Sequence, residues 1–166
     1  MQALGLSMLY VIPDRIAPHK EIPEGSPTPE QRLSMLRLAL DGEEKVIVSD
    51  MELRREGKSY TYETVEQLRS MHPDAELVLF MGTDMFLSIE NWREPEKIFS
   101  LCSIAAVPRN DDDREKLINH SKYLSERYGT VSKVMKKAAI DISSSELREK
   151  IANGEPINVV VPTGNF

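Results

Sequence analysis

Apolar residues are arranged along the chain in two different patterns. Short runs that are almost entirely apolar predict strands, and segments with apolar residues three or four positions apart predict helices. Strands are expected at Ser7–Pro13, Lys45–Ser49, Leu77–Met81, Ser103–Pro108 and Ala138–Asp141. Because strand and helix follow each other repeatedly, we predict an α/β fold, a doubly wound parallel sheet with flanking helices.

The first long helix has a well-defined start. Thr28 is expected to cap it, with Pro29 in the first helical position and Gln31 completing a capping box. Gly42 is expected to end it. Its predicted apolar stripe consists of Leu33, Met35, Leu36 and Leu40.

The second long helix is expected to begin at Thr61 or Tyr62 and to end at His72-Pro73. Its predicted apolar face carries Val65, Leu68 and Met71. The first N–H groups of a helix have no acceptor within the helix, so this start would face any nearby carboxylate. Further helices are expected before Trp92, from Pro95, over Asp111–Arg127, and from the serines at 143–145 to Gly154.

The central strand, Leu77–Met81, is an unbroken apolar run, which predicts burial on both of its faces. Gly82-Thr83-Asp84 follows it directly. In open α/β sheets ligands bind beyond the carboxyl ends of the strands, where glycine permits close approach and a carboxylate can accept sugar hydroxyls. An ordinary strand-to-helix turn capped by Thr83 or Asp84 is the alternative for this tripeptide alone.

A second polar cluster precedes the last helix. Ser143 and Glu146 form a capping box, and Ser144, Ser145 and Arg148 add hydroxyls and a positive charge. Together with the positive end of the helix dipole, these groups are suited to holding a phosphate. A capped helix without a ligand is the alternative interpretation.

Two other positions carry candidate chemistry. The loop after the first strand contains Arg15, His19 and Lys20, although an isolated His-Lys pair is more often solvated. Trp92, the single tryptophan, is flanked by polar residues, which indicates a half-exposed, amphipathic position beside a ligand.

Composition narrows the function further. With 166 residues the chain fits one domain, and its net charge of −6 argues against broad nucleic-acid binding. Cys102 is the only cysteine, which excludes an internal disulfide and favours a reducing, cytoplasmic setting. No apolar run approaches the length of a membrane span, and the N-terminus lacks a basic signal-peptide start.

Four ordered stretches resemble the bacterial nicotinate-nucleotide adenylyltransferases, members of the HxGH nucleotidyltransferase superfamily with a Rossmann-like fold. They are IPDRIAPHK, SDMELRREGKSYTYET, FMGTDMFLSIENW and ISSSELREKI, and the resemblance runs from Met1 to about Pro162. It implies adenylyl transfer from ATP, with Mg²⁺, to nicotinate mononucleotide, giving deamido-NAD and pyrophosphate in NAD biosynthesis.

The resemblance also implies roles for single residues. Ser143, Ser144 and Arg148 match the phosphate-binding motif, and Asp84 after Gly82 matches the acidic residue near the adenosine ribose. Arg109 matches a basic residue after the strand that ends in Val-Pro. For the mononucleotide, the implied contacts come from Lys20 near the phosphate, Thr61 and Tyr62 at the helix start, and Trp92 on the pyridine ring.

The chain departs from this family at its beginning. The family's first strand and its GxFxPxHxGH turn are missing, and His19, His72 and His120 do not form that spacing. No catalytic histidine is therefore assigned. Since Met1–Leu6 reads as the end of a helix, we expect a nucleotidyltransferase domain over 1–166 that is truncated at the N-terminus, with the C-terminus also short of the family's last helix.

The missing family strand lies between those expected at Ser7–Pro13 and Leu77–Met81, so both should have an edge without a strand partner. The alternative functions are another adenylyltransferase, specific for nicotinamide mononucleotide or pantetheine phosphate, and a non-catalytic nucleotide-binding remnant. No membrane or nucleic-acid partner is expected, and the sequence does not decide between a monomer and a homo-oligomer.

Overall fold

A computed structural model of the chain describes residues 5–16, 26–136 and 144–155. The chain divides into two compact units, Met1–Leu68 and Arg69–Phe166, and each is described by itself. The organisation as a single domain stays a prediction. The predicted strand at Ala138–Asp141 and the opening residues Met1–Leu4 lie outside the described residues.

The first unit pairs two short parallel strands. It contains β1 (Leu9–Val11), α1 (Pro29–Ala39), β2 (Val46–Val48) and the larger part of α2 (Thr61–Met71). β1 and β2 run parallel in the register Leu9 to Val46 and Val11 to Val48. Between β2 and α2 the chain forms turns and bends from 51 to 57, which hold much of the unit's polar chemistry.

The start of α1 has the predicted geometry. Thr28 Oγ1 accepts from the Gln31 backbone N–H at 3.2 Å, and Gln31 Oε1 accepts from the Thr28 N–H at 2.8 Å. This capping box is confirmed, as is Pro29 at the first helical position. The helix ends at Ala39, and Gly42 takes its positive φ of 81° in the turn beyond the helix end.

The predicted apolar stripes are wrong at two methionines. Met35 is 59% exposed and Met71 is 52% exposed, whereas Leu33 and Val65 on the same helices are buried. Met35 is two positions from Leu33, about 200° around a helix, and therefore lies on the opposite face. Met71 is the last residue of α2, where the helix is no longer covered.

The second unit contains a three-stranded parallel sheet. Its strands are β3 (Val78–Gly82), β4 (Ser103–Val107) and β5 (Ser132–Val134), with β4 in the centre. The register pairs Val78 with Ser103, Gly82 with Val107 and Ile104 with Ser132. The helices are α3 (Thr83–Ser88), a 3-10 turn at Ile89–Asn91, α4 (Pro95–Leu101), α5 (Asp111–Tyr128) and α6 (Ser144–Ala152).

The α/β class with parallel sheets flanked by helices is confirmed. In the described part of the chain β1 pairs only with β2, and β3 pairs only with β4, so each has one edge without a strand partner. β5 was not predicted, because three residues carry too little pattern. It is held by the Ile104 N–H, which donates to the Val131 carbonyl at 2.9 Å, and the Met135 N–H, which donates to Ala106 at 2.8 Å.

The strand buried on both faces is β4, not β3. Ile104, Ala105 and Ala106 are at most 1% exposed, whereas Phe80 in β3 is 44% exposed. Successive side chains of a strand point to opposite faces, and within the described residues the face of β3 that carries Phe80 is only partly covered. The prediction of burial on both faces for Leu77–Met81 is therefore wrong.

The core of the second unit is apolar and closely filled. Phe86, Ile89, Ile98, Leu117 and Leu124 have no exposed surface. Cys102 is buried next to them, and its Sγ donates to the Ile98 carbonyl at 3.2 Å. Within the described ranges, no helix is long and apolar enough to cross a membrane.

Candidate functional site

The turn after β3 connects directly to α3. Gly82 is the last residue of β3 and also the residue before the helix, with φ −80° and ψ 176°. Any residue adopts such angles, so the turn itself does not require glycine. A Cβ built on Gly82 would meet nothing within 4 Å, which leaves open space beside the backbone at this strand end.

Asp84 and Arg109, both predicted as site residues, lie together at this edge of the sheet. Since Gly82 and Val107 are register partners, the carboxyl ends of β3 and β4 coincide. Arg109 Nη2 donates a hydrogen bond to Asp84 Oδ2, and both side chains are more than half exposed. An exposed pair contributes little to stability, so these two charges remain available to a ligand.

A second carboxylate fixes this turn and was missed from sequence. Thr83 is 3% exposed, and its Oγ1 donates to Asp113 Oδ2 at 3.0 Å. Asp113 is held in turn, because its backbone N–H donates to the capping Asn110 Oδ1 at 2.9 Å. Asn110 followed by acidic residues indicates a capped helix start, which places Asp113 in the first turn of α5. The sequence gives no indication that Thr83 is the partner of Asp113.

Trp92 lies immediately after the 3-10 turn and is half buried, as predicted from its polar neighbours. Its backbone N–H donates to the Ile89 carbonyl at 3.1 Å. Two residues later, Glu94 has a left-handed φ of 52°, the only positive φ at a non-glycine residue in the described chain. This conformation directs the chain from Trp92 into α4, which begins at Pro95.

Thr61 and Tyr62 form the start of α2, which confirms the predicted helix start. Both side chains are half buried, and the Tyr62 hydroxyl donates to Glu63 Oε1 at 3.0 Å. The rings of Tyr60 and Tyr62 lie with centroids 6.2 Å apart. The first turn of α2 is thus lined by aromatic and polar groups.

The last helix, α6, begins at Ser144, within the serines at 143–145 where a helix start was predicted. Arg148 is exposed one turn into the helix. Gly154 ends it with φ 70°, and the Glu155 N–H donates to the Lys150 carbonyl at 2.8 Å. Three predicted residues, His19, Lys20 and Ser143, lie outside the described part of the chain.

Acidic and thiol side chains do not assemble into a metal centre among the residues that the structure describes, since no group of three His, Cys, Asp or Glu is placed to hold an ion. Asp84, the acidic residue at the sheet edge, is already paired with Arg109.

Comparison with known proteins yields a consistent group of relatives. A family model described as cytidylyltransferase-like matches residues 1–150. A probable nicotinate-nucleotide adenylyltransferase from Geobacillus thermodenitrificans is 36% identical over 99% of this chain and 70% of its own length. One from Carboxydothermus hydrogenoformans is also 36% identical, over 95% of this chain and 77% of its own length.

A solved structure supports the fold independently of sequence. Plasmodium falciparum nicotinic acid mononucleotide adenylyltransferase, complexed with NaAD, superposes with a TM-score of 0.68 at 19% identity. The match covers 93% of this chain and 74% of that protein. The chain therefore belongs to the cytidylyltransferase-like family, and within it to the nicotinate-nucleotide adenylyltransferases.

Proposed function

We propose that this chain acts on ATP and nicotinate mononucleotide, transferring the adenylyl group to give deamido-NAD and pyrophosphate. The observation that carries the proposal is similarity over nearly the whole chain to relatives named for this activity. It is supported by the meeting of Asp84 and Arg109 at the carboxyl ends of β3 and β4, where α/β sheets bind ligands.

The reaction is an in-line substitution. A phosphate oxygen of nicotinate mononucleotide attacks the α-phosphorus of ATP, and the bond from that phosphorus to the bridging oxygen of pyrophosphate breaks. No covalent bond to the protein forms. The protein's contribution is to position the two phosphates and to neutralise the charge that develops on the leaving group. Mg²⁺ would enter together with ATP as the substrate MgATP and would supply positive charge to the phosphates.

The residues of the second unit are assigned to ATP. Gly82 leaves room for the nucleotide next to the backbone, and Asp84 accepts hydrogen bonds from the ribose hydroxyls. Arg109 and Arg148 supply positive charge to the phosphates, together with the hydroxyls of Ser143 and Ser144. Thr83 and Asp113 keep the Asp84 turn in place through their 3.0 Å hydrogen bond.

Nicotinate mononucleotide is assigned to four residues. The helix start at Thr61 and Tyr62 receives the carboxylate, because the positive end of a helix dipole favours an anion over a neutral amide. Trp92 stacks on the pyridine ring, for which a half-buried tryptophan is suited. Lys20 is assigned to the phosphate. The lone cysteine supports a reducing, cytoplasmic setting for this reaction.

The direct test is turnover. The purified chain is incubated with MgATP and nicotinate mononucleotide, and deamido-NAD is separated and quantified. The alternative function is nucleotide binding without catalysis. Binding of both substrates without product would favour that alternative, whereas the absence of any binding would reject both.

Two binding measurements locate the substrates. Nicotinate mononucleotide should change the fluorescence of Trp92, and an unchanged spectrum at saturation would remove this residue from the site. Arg109→Ala should weaken ATP binding by about tenfold to a hundredfold, since a hydrogen bond to a charged group contributes about 1.5–3 kcal/mol. Arg114→Ala, at an exposed position in the first turns of α5, is the matched control and should leave ATP binding unchanged.

A further inference from the structure

Two arginines hold the loop between β2 and α2. Arg15 Nη1 donates to the Leu53 carbonyl at 3.2 Å and to the Arg55 carbonyl at 2.9 Å. The Arg15 backbone N–H donates to Ser59 Oγ at 3.0 Å, and the Ser59 N–H donates to the Ile16 carbonyl at 3.1 Å. Both the middle and the end of the loop are thereby attached to the segment that follows β1.

The second arginine, Arg55, joins the loop to the first turn of α2. Its Nη2 donates to Thr64 Oγ1, and that hydroxyl donates onward to Glu52 Oε1 at 2.5 Å. Arg55 Nη1 is also 3.5 Å from Glu63 Oε2. Thr64 is 6% exposed, and its N–H donates to the Tyr60 carbonyl, so a buried hydroxyl on the helix connects two charged loop residues.

This arrangement is costly if its only role is stability. Within the described residues, Arg55 Nε is buried without a hydrogen-bond partner, and the buried Nη1 has only the 3.5 Å ion pair with Glu63 and no hydrogen bond. Burying a guanidinium with part of its donors unsatisfied costs free energy, and buried ion pairs are often no more stable than apolar packing. What such a network supplies is a defined geometry, because directional bonds from a planar group allow few alternative arrangements.

We infer that Arg55 is a positioning residue that sets the start of α2 through Thr64 and Glu52, and thereby the preference of that helix start for a carboxylate. The inference rests on the proposed function, in which Thr61 and Tyr62 receive the nicotinate carboxylate. Thr61 lies three residues before Thr64, one turn away on the same helix. Arg55 needs no contact with the ligand, since it acts through the helix start.

The test compares the acid with the amide as ligands. Dissociation constants for nicotinate mononucleotide and nicotinamide mononucleotide are measured by calorimetry on the full chain. Arg55→Lys keeps the positive charge but loses the planar donor geometry. This substitution should weaken the binding of nicotinate mononucleotide by about tenfold or more. The dissociation constant of nicotinamide mononucleotide should change by less than about twofold, because only the acid gains a charge-assisted bond.

Matched variants separate this role from general destabilisation. Arg54→Ala removes the neighbouring arginine, which is 77% exposed and pairs with Asp50 at 3.0 Å on the surface, and should leave both constants unchanged. Thr64→Val, which removes the hydroxyl at similar volume, should reproduce the effect of Arg55→Lys. Thr64→Ser, which keeps the hydroxyl, should retain the wild-type preference for the acid.

Hydrogen exchange gives a readout that does not depend on any ligand. Arg55→Lys and Thr64→Val should increase the exchange rate of the first-turn amides of α2 while those of α5 keep theirs. A wild-type chain without preference for the acid would overturn the proposed carboxylate site. A wild-type preference that survives in Arg55→Lys and Thr64→Val, with unchanged amide exchange, would overturn the positioning role alone.

Discussion

Each of the two units of this chain is stabilised internally by a different kind of interaction. In the second unit, Phe86, Ile89, Ile98, Leu117 and Leu124 are completely buried. Among the described residues of the first unit, Leu33, Met51 and Val65 are buried with 5–9% of their surface exposed, and the polar residues Ser59 and Thr64 are buried as well.

The first unit relies instead on directed polar bonds. Arg32 donates to the Asp14 carboxylate and to the Asp14 backbone carbonyl, and Arg15 and Arg55 fasten the loop after β2. Apolar packing stabilises in proportion to buried area and tolerates small shifts, whereas hydrogen bonds to charged groups depend on geometry. The comparison indicates that the first unit is built for a defined loop shape and the second for a stable scaffold.

The largest expected effect is loss of core volume in the second unit. Phe86→Ala should lower the free energy of unfolding by about 3–5 kcal/mol, because the aromatic ring is fully buried. Denaturant unfolding followed by Trp92 fluorescence reports this unit. Leu33→Ala in the first unit should cost less, and Met35→Ala, at a 59% exposed position, close to nothing. If Leu33→Ala lowered the free energy of unfolding as much as Phe86→Ala, the proposed difference between the two units would be wrong.

The second prediction concerns the exclusion of water from the same core around Cys102. Burial raises the pKa of the Cys102 thiol to about 11 from an ordinary 9.0, although the positive charge of Arg69 opposes the shift. The thiol is neutral when folded, so its contribution to stability is complete below pH 9 and is lost as the pH rises toward 11. The loss should be roughly 2 kcal/mol, measured as the difference between the wild-type chain and Cys102→Ala.

Thiol reagents give an independent check on Cys102. At pH 8 the folded chain should react slowly, because the reactive thiolate is scarce and Cys102 is only 8% exposed, and the unfolded chain should react fast. Rapid modification of the folded chain would show that water reaches this part of the core.

The third prediction probes the polar attachment in the first unit. Arg32→Met keeps the apolar stem but removes the donors to Asp14, and should lower the free energy of unfolding by about 1–2 kcal/mol. Salt should reduce the difference, since the pair is partly exposed and therefore screened. Arg37→Met, at an exposed position on α1, is the control. Equal effects of the two substitutions would deny Arg32 a specific role.

The smallest expected effect is a gain. Glu94 holds a left-handed conformation, φ 52° and ψ 53°, directly before Pro95. Glycine adopts these angles without a Cβ clash, so Glu94→Gly should raise the free energy of unfolding by about 1 kcal/mol. The melting temperature should rise accordingly. Glu96→Gly, two residues later inside α4, should lower it. A loss for both would mean that the Glu94 backbone carries no strain.

Local features were predictable from sequence to the extent that their causes are local. The capping box of Thr28 and Gln31, the start of α2 at Thr61 and the end of α6 near Gly154 each depend on a few neighbouring residues. Asp84 and Arg109 were each predicted as site residues, and their ion pair follows from the neighbouring positions of β3 and β4.

The tertiary structure decided which surfaces are covered and which distant groups meet. Phe80 is exposed although its run is fully apolar, because coverage depends on neighbouring elements and not on the strand itself. Thr83 meets Asp113, 30 residues away, and Arg15 meets the Arg55 carbonyl, 40 residues away. Side chains with such separations have no common period in the sequence, so only the packed fold could select their partners.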